Sequence, residues 1–447
     1  MRSPSRSTGS ATADSPAWRE GRQAGVTTTA GEPRAQLARA RSFSGWTASV
    51  REALDRPLTS YYLLLGASTL LLTIGLMMVL SASSVYAYKN FDGDSYAVFK
   101  RQLTWVLLAL PLAFVVSRLP HRVIRAFAWP AIFLALLALA LTQVPGFGVE
   151  VGGNQNWLAL GPLRVQPSEL AKLAVILWCA DLYGRKEKLL GDWRHVLMPM
   201  LPVTGLVIGL VLKQHDLGTA LVLFAIVLGM LWVVGAPARL FVLGMTTVGV
   251  LALYLATTSH ERLDRLTNFA DPFKDYQGAG WQPAHGLFAM SSGGIFGKGI
   301  SASQQKWGNL PAAHTDFIFA VLGEELGLVG TLLVLGLFLT IAYAGFRVAL
   351  RTKDPFVRYM SAGITIWLTV QMMINVGMVL ALLPVIGIPM PLVSYGGSAL
   401  LPSLVALGLL VSFARSEPGA KAALRARRRR RTPAGVTAGS GRPRGTR

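Results

Sequence analysis

Apolar positions in this chain fall in long runs that charge does not interrupt. Residues 57–88, 126–149, 217–238 and 359–414 contain no Asp, Glu, Lys or Arg. A bilayer core is crossed by about 20 residues of helix, so charge-free runs of this length read as membrane-spanning helices. The pattern predicts ten spans, roughly 60–82, 100–117, 123–143, 166–183, 195–212, 217–235, 238–257, 315–346, 357–380 and 396–414. The expected fold class is an all-α polytopic membrane protein of about ten transmembrane helices, with a large loop, 258–314, between helices 7 and 8. No cleavable signal peptide is expected ahead of the first span.

Charge changes this picture only at the ends and in the loops. Of 447 residues, 15% are charged, against about 25% in a typical soluble domain. The formal net charge of +21 would suit a nucleic-acid binder, but the segments 1–59 and 414–447 alone carry +4 and +10 of it. Basic tails beside spanning helices read as topology signals and contacts for anionic lipid, so no nucleic acid is expected as a partner. Residues 1–57 read as a disordered N-terminal tail, 58–415 as the transmembrane domain and 416–447 as a basic disordered tail. The short loops 118–125, 184–194 and 347–358 are rich in Arg and Lys, whereas 144–165 carries only Arg164 and 381–395 none. The positive-inside rule then places both tails in the cytoplasm and the 258–314 loop outside. That loop mixes Gly278, Gly280, Gly293, Gly294, Gly297 and Gly299 with Trp281, Phe288, Met290 and Phe296, which reads as a re-entrant or interface-lying segment. A single cysteine, Cys179, excludes an internal disulfide and a thiolate metal cluster.

Ionisable residues inside spans are the clearest chemical signal, because each one left unpaired in lipid costs several kcal/mol, about 2.5–3.5 on insertion scales. In the fourth span Glu169 and Lys172 stand three apart, hence on one helix face, after Pro167 in the first turn. They form either a structural ion pair or one wall of a polar cavity. Asp316 closes the long loop and opens the eighth span. With Thr315 as N-cap it could be a first-turn carboxylate serving the helix dipole, or a base at the membrane–water boundary, with His314 assisting. Glu324 and Glu325 follow, and pairing with a neighbouring helix is the favoured role for both. Lys100, Arg101, Arg164 and Lys306 run against the positive-inside trend; singly they read as snorkelling side chains, together as a set suited to a diphosphate. Asp216 is expected to cap the sixth helix.

Five motifs in order resemble the SEDS family of bacterial shape, elongation, division and sporulation proteins. They are Gln166-Pro167-Ser168-Glu169-Leu170-Ala171-Lys172, Asp216-Leu217-Gly218-Thr219, His314-Thr315-Asp316-Phe317-Ile318-Phe319, Gly323-Glu324-Glu325-Leu326-Gly327 and Pro391-Leu392-Val393-Ser394-Tyr395-Gly396-Gly397-Ser398. The resemblance covers about residues 58–415. Gly153-Asn154-Gln155-Asn156-Trp157, the Pro57–Tyr62 entry and the Arg-rich tail are similar to the cell-division branch; the elongation branch shares the core motifs. One departure is His215, where the family usually carries proline.

The resemblance implies a peptidoglycan glycosyltransferase that polymerises lipid II, an undecaprenyl-diphosphate disaccharide-pentapeptide, on the outer face of the bacterial cytoplasmic membrane at the division septum. It places the essential aspartate at Asp316 and the buried pair at Glu169 and Lys172. A lipid diphosphate is already a good leaving group, so the chemistry needs a base and cationic stabilisation of departing charge. Asp316 would be the base, or hold a divalent cation such as Mg or Mn. Lys172, Lys306, Arg164 or Arg101 would face the diphosphate, with His314 and Ser398 also against substrate. Implied partners are a class B penicillin-binding protein transpeptidase of the FtsI type, membrane lipid and other division proteins, FtsZ among them. The Arg425 to Arg431 cluster would meet an acidic partner or anionic lipid. Two other classes fit part of the pattern. A lipid II flippase would want polar groups through the midplane, and a scaffold would leave the Glu169–Lys172 pair unexplained.

Overall fold

A computed structural model describes residues 56–423 except 152–153, 162, 258–268, 270, 279 and 421. Nearly all of the 1–57 tail, part of the long loop and the Arg425 to Arg431 cluster lie outside the described residues. The fold is all-α apart from one small sheet. Its helices are α1 (Thr59–Asn90), α2 (Ala97–Arg118), α3 (His121–Ala126), α4 (Ala128–Leu141), α5 (Pro167–Arg185), α6 (Trp193–Lys213), α7 (Leu217–Val234), α8 (Ala238–Thr257), α9 (Trp281–Ser292), α10 (Ile318–Arg351), α11 (Pro355–Val379) and α12 (Leu400–Ala414). The ten expected spans fall on helical segments, with 123–143 divided between α3 and α4 and 315–346 interrupted within α10. Among the described residues seven helices are long and apolar enough to cross a membrane by length and composition. The other three are α5, which carries Glu169, Lys172, Asp181 and Arg185, and the less extensive apolar runs of α4 and α8.

Helix ends follow local chemistry. Asp192, Asp216 and Asp354 cap α6, α7 and α11 by accepting from the backbone N–H groups of Arg194, Thr219 and Phe356. Pro167 and Pro355 occupy first-turn positions of α5 and α11, where proline's missing N–H is not needed. Gly235, at φ +84°, closes α7 in the left-handed conformation.

The interior is built around α11, which packs on α5, α7 and α10, while α12 packs on α2 and α1. Of the apolar stretches of α11 and α12, 67% and 83% are buried, against 33% for α2, α6 and α10, so the former pair forms the core and the latter present much of their surface outward. Large exposed side chains such as Phe114, Phe133, Met198 and Leu339 form the apolar exterior that a bilayer would cover.

Three features were not anticipated. The 144–165 loop holds a three-stranded antiparallel meander, β1 (Gly148–Val151), β2 (Asn154–Leu160) and β3 (Leu163–Val165). The expected span 315–346 is not one helix. Gly327 breaks it at φ +67°, ψ −164°, leaving a short buried helix before the break and a long one after it. A Cβ on Gly327 would collide with the backbone of Ile295 and Gly297, so only glycine lets the long loop lie this close. Residues 388–394, finally, are nearly all buried without being helical.

Candidate active site

Buried irregular backbone must find hydrogen-bond partners inside the protein, and is tolerated at membrane depth only where protein or a cavity surrounds it. Side chains supply them here. On α11 the Gln371 amide donates to the Pro389 carbonyl at 3.0 Å. One turn on, Asn375 Nδ2 donates to the carbonyls of Ile388 at 2.7 Å and Asp316 at 2.8 Å. The Tyr395 N–H donates to the His314 carbonyl at 2.9 Å. One face of α11 therefore ties the 386–396 segment to the turns that carry Asp316.

The same face receives the buried pair. Lys172 Nζ lies 2.7 Å from Glu169 Oε1 and donates to Gln371 Oε1 at 3.0 Å, and the Trp367 indole donates to that oxygen at 2.7 Å. Glu169 and Lys172 are 3% and 1% exposed, so the pair is an interior group linking α5 to α11. Glu169 Oε2 has no hydrogen-bond partner among the described residues. Gln371 also lines a small cavity with Pro389, Ser394, Gly396 and Ser403. Trp367, Gln371 and Asn375 were missed by a reading that searched for charge. Two amides four apart inside a charge-free span were the available signal.

Asp316 does not sit in a helix. The helix starts at Ile318 with Phe317 in the capping position, and Thr315 Oγ1 donates to the Ala312 carbonyl. The expectation that Thr315 caps the helix and that Asp316 is a first-turn carboxylate is thereby corrected. The Asp316 side chain is half-buried and, among the described residues, accepts no hydrogen bond and forms no ion pair. Its Oδ2 lies 3.6 Å from where a Cβ on Gly387 would stand, so the 385–388 backbone borders it. Burial without a compensating partner raises its pKa from 3.8 to about 6. Burial lowers His314 to about 4, which keeps its imidazole neutral between the rings of Tyr86 and Tyr395, at 4.8 and 5.8 Å.

The cations divide. Arg101 is exposed, over the Phe91 ring at 4.5 Å and near enough to Tyr395 to oppose the upward push that burial exerts on that phenol. Arg164 is exposed on β3, opposite Ala159. Lys100 pairs with Asp94 at 2.8 Å on the surface. Lys306 is 6% exposed and held by Glu325 Oε1 and Ser81 Oγ, both at 3.0 Å, and the Ser301 carbonyl at 2.9 Å. Lys306 was expected among the cations facing a diphosphate; its ammonium is instead committed to these protein groups. Glu324 pairs with Lys298 at 2.9 Å, so both glutamates meet the long loop, not only a neighbouring helix.

Asp216 accepts four donors: the Thr219 N–H and hydroxyl at 2.9 Å, the Asn156 amide at 2.9 Å and the Gln166 amide at 3.1 Å. It caps α7 as expected and also ties the meander to the start of α5. His215, at φ +63°, holds a left-handed turn that proline cannot adopt. Ser398 Oγ accepts the Gln166 N–H at 2.9 Å. Among the described residues no group of three or more His, Cys, Asp or Glu is placed to hold a metal ion.

This is a polytopic α-helical membrane protein in which one face of α11 joins a buried Glu–Lys pair to the turns that carry Asp316, whose carboxylate has no hydrogen-bond partner among the described residues. The chain belongs to the Cell cycle protein family of FtsW, RodA and SpoVE, whose family model matches residues 61–418. The probable peptidoglycan glycosyltransferase FtsW of Mycobacterium tuberculosis is 40% identical over 375 residues, covering 84% of this chain and 71% of that protein. A structure described as coordinating polymerization and crosslinking by a peptidoglycan synthase complex aligns with TM-score 0.64 and 30% identity, over 79% of this chain and 97% of that one. The rod shape determining protein RodA of Thermus thermophilus aligns with TM-score 0.57 and 30% identity, over 80% and 97%.

Proposed function

We propose that this chain is a peptidoglycan glycosyltransferase that joins lipid II units into glycan strands during cell division, with Asp316 as its base. The observation that carries the reading is the Asp316 carboxylate, which no described residue satisfies and whose pKa burial raises to about 6. A general base works best with a pKa near the working pH. In this reaction the acceptor hydroxyl attacks the anomeric carbon of the donor. The bond from that carbon to the lipid diphosphate breaks, its electron pair leaves with the diphosphate, and the hydroxyl proton passes to Asp316. Arg101 and Arg164 are the exposed cations available to the departing charge, while the Lys172–Glu169 pair holds α5 and α11 as a fixed wall.

A divalent cation would find one carboxylate here. Magnesium often takes one or two carboxylates and completes its shell with water and substrate phosphate. Asp316 together with the donor's diphosphate fits that pattern, and the ion would neutralise charge on the leaving group. The Arg and Lys asymmetry of the loops supports cytoplasmic tails and a site on the outer face at the septum. A class B penicillin-binding protein is the partner whose cross-linking step follows polymerisation, and tethering would keep the nascent strand close to it. Incubating purified protein with labelled lipid II tests the reading: polymer bands support it, and label crossing liposomes without polymer identifies a flippase. A cysteine introduced in the long loop should react with an impermeant reagent in intact cells, and one at 184–194 should not.

A further inference from the structure

The turns that carry Asp316 are flanked on both sides by residues that meet each other. Upstream stand Ser303 and Lys306; downstream, where α10 breaks, stand Glu324 and Glu325. Ser303 Oγ donates to Glu324 Oε2 at 2.6 Å, and Lys306 Nζ lies 3.0 Å from Glu325 Oε1. Glu325 also accepts the Ser81 hydroxyl of α1, at 2.6 and 2.8 Å to its two oxygens. Both glutamates are fully buried and Lys306 nearly so. Backbone bonds reinforce the junction: the N–H groups of Lys298 and Gly299 donate to the carbonyls of Glu324 and Glu325, at 2.9 and 3.0 Å. Residues 303–325, the turns before α10 together with its first short helix, are thus closed at the neck, with Asp316 midway along the stretch. Asn375 and Tyr395 hold the backbone of these turns from one side, through the carbonyls of Asp316 and His314, but the Asp316 carboxylate itself has no partner among the described residues, so where it stands also depends on how the ends of this stretch are held.

We infer that Lys306 and Glu325, anchored on Ser81, are positioning residues: their buried ion pair staples the 303–325 stretch to α1 and helps set where the Asp316 carboxylate stands. Nothing in their geometry brings them to a substrate, since each is spent on the other and on neighbouring protein groups. The inference rests on Asp316 as the base. A misplacement of about 1 Å can lower a rate by about 10²-fold, so a loosened neck should act on turnover before it acts on substrate binding.

The test compares Lys306→Met, Glu325→Gln and the charge-exchanged Lys306→Glu/Glu325→Lys with wild type in nanodiscs. Turnover of lipid II, KM and amide exchange of residues 310–317 are measured for each. The single variants are expected to lose about 10²-fold in kcat with KM little changed, and to show faster exchange at 310–317. The exchanged pair should recover much of both, which a merely destabilised protein would not do. Wild-type kcat in both folded single variants overturns the inference. So does a loss confined to KM with unchanged exchange, which would make Lys306 a substrate contact. If the single variants fail to fold, the exchanged pair decides alone: a folded, active exchange supports the staple, and a folded but inactive one with wild-type exchange at 310–317 overturns it. Asp316→Asn run alongside separates the two ideas, because full activity there removes the base while leaving the exchange data to judge the staple.

Discussion

Asp216 and Asp316 occupy similar places in the sequence, each just before a helix and within a family motif, yet the structure treats them in opposite ways. Asp216 is 8% exposed and accepts from a backbone N–H, a hydroxyl and two amides. Asp316 accepts from nothing among the described residues, although burial has already raised its pKa to about 6. An acid that accepts four donors is held in place, with its charge already stabilised by the protein. An acid left bare in a half-buried site is energetically unfavourable for the fold, and so is available for chemistry. What separates a structural carboxylate from a reactive one here is its hydrogen-bond partners, which sequence position does not reveal.

The sharpest way to break this comparison is substitution at Asp316. Asp316→Asn keeps size and removes charge, and polymerisation should fall by about 10²- to 10⁴-fold with the melting temperature unchanged. Because Asp316 caps nothing, no helix should loosen. Asp316→Glu should recover little, since an added methylene displaces the oxygens on the scale of an ångström. Asp316→Asn polymerising at the wild-type rate would return Asp316 to the structural class.

A second test concerns the buried pair, which combines both behaviours. Lys172→Ala leaves Glu169 without its ion-pair partner in the interior, where its Oε2 already lacks a hydrogen bond among the described residues. Breaking one side of such a pair typically costs about 3–5 kcal/mol. The variant should melt well below wild type, and its activity should fall with its stability. Undiminished melting temperature and activity would mean that the pair supports neither fold nor site.

The smallest effect belongs to Asp216. Asp216→Ala removes the α7 cap, worth about 0.5–2 kcal/mol, and frees the meander from the start of α5. A modest drop in melting temperature is expected, with most polymerisation retained. A loss as large as that of Asp316→Asn would erase the distinction between the two acids.

Much of the fold was legible in sequence because membrane burial imposes a local rule. Charge-free runs gave the spans, and a three-residue spacing put Glu169 and Lys172 on one face, where they pair. The meander was legible too: Gly152-Gly153 between Val149-Glu150-Val151 and Asn154–Leu160 is a hairpin signal, hidden when the loop is read by charge alone. The break at Gly327 was less visible, since glycine is common in membrane helices and its close approach to Ile295 and Gly297 is a tertiary fact. Contacts such as Lys306 with Glu325, or Lys172 with Gln371, join segments that no local pattern connects. The site was therefore readable in its motif residues, while the α11 face that holds them together was not.

The pH dependence of polymerisation tests the central claim most directly. A base must be deprotonated to act, so kcat/KM for lipid II should be level above the Asp316 pKa and fall about tenfold per pH unit below about 6. The same acid limb should persist in Asp216→Ala, whose carboxylate has no part in the chemistry, and should vanish from the residual activity of Asp316→Asn. An acid limb near pH 6 that survives unchanged in Asp316→Asn would contradict the account.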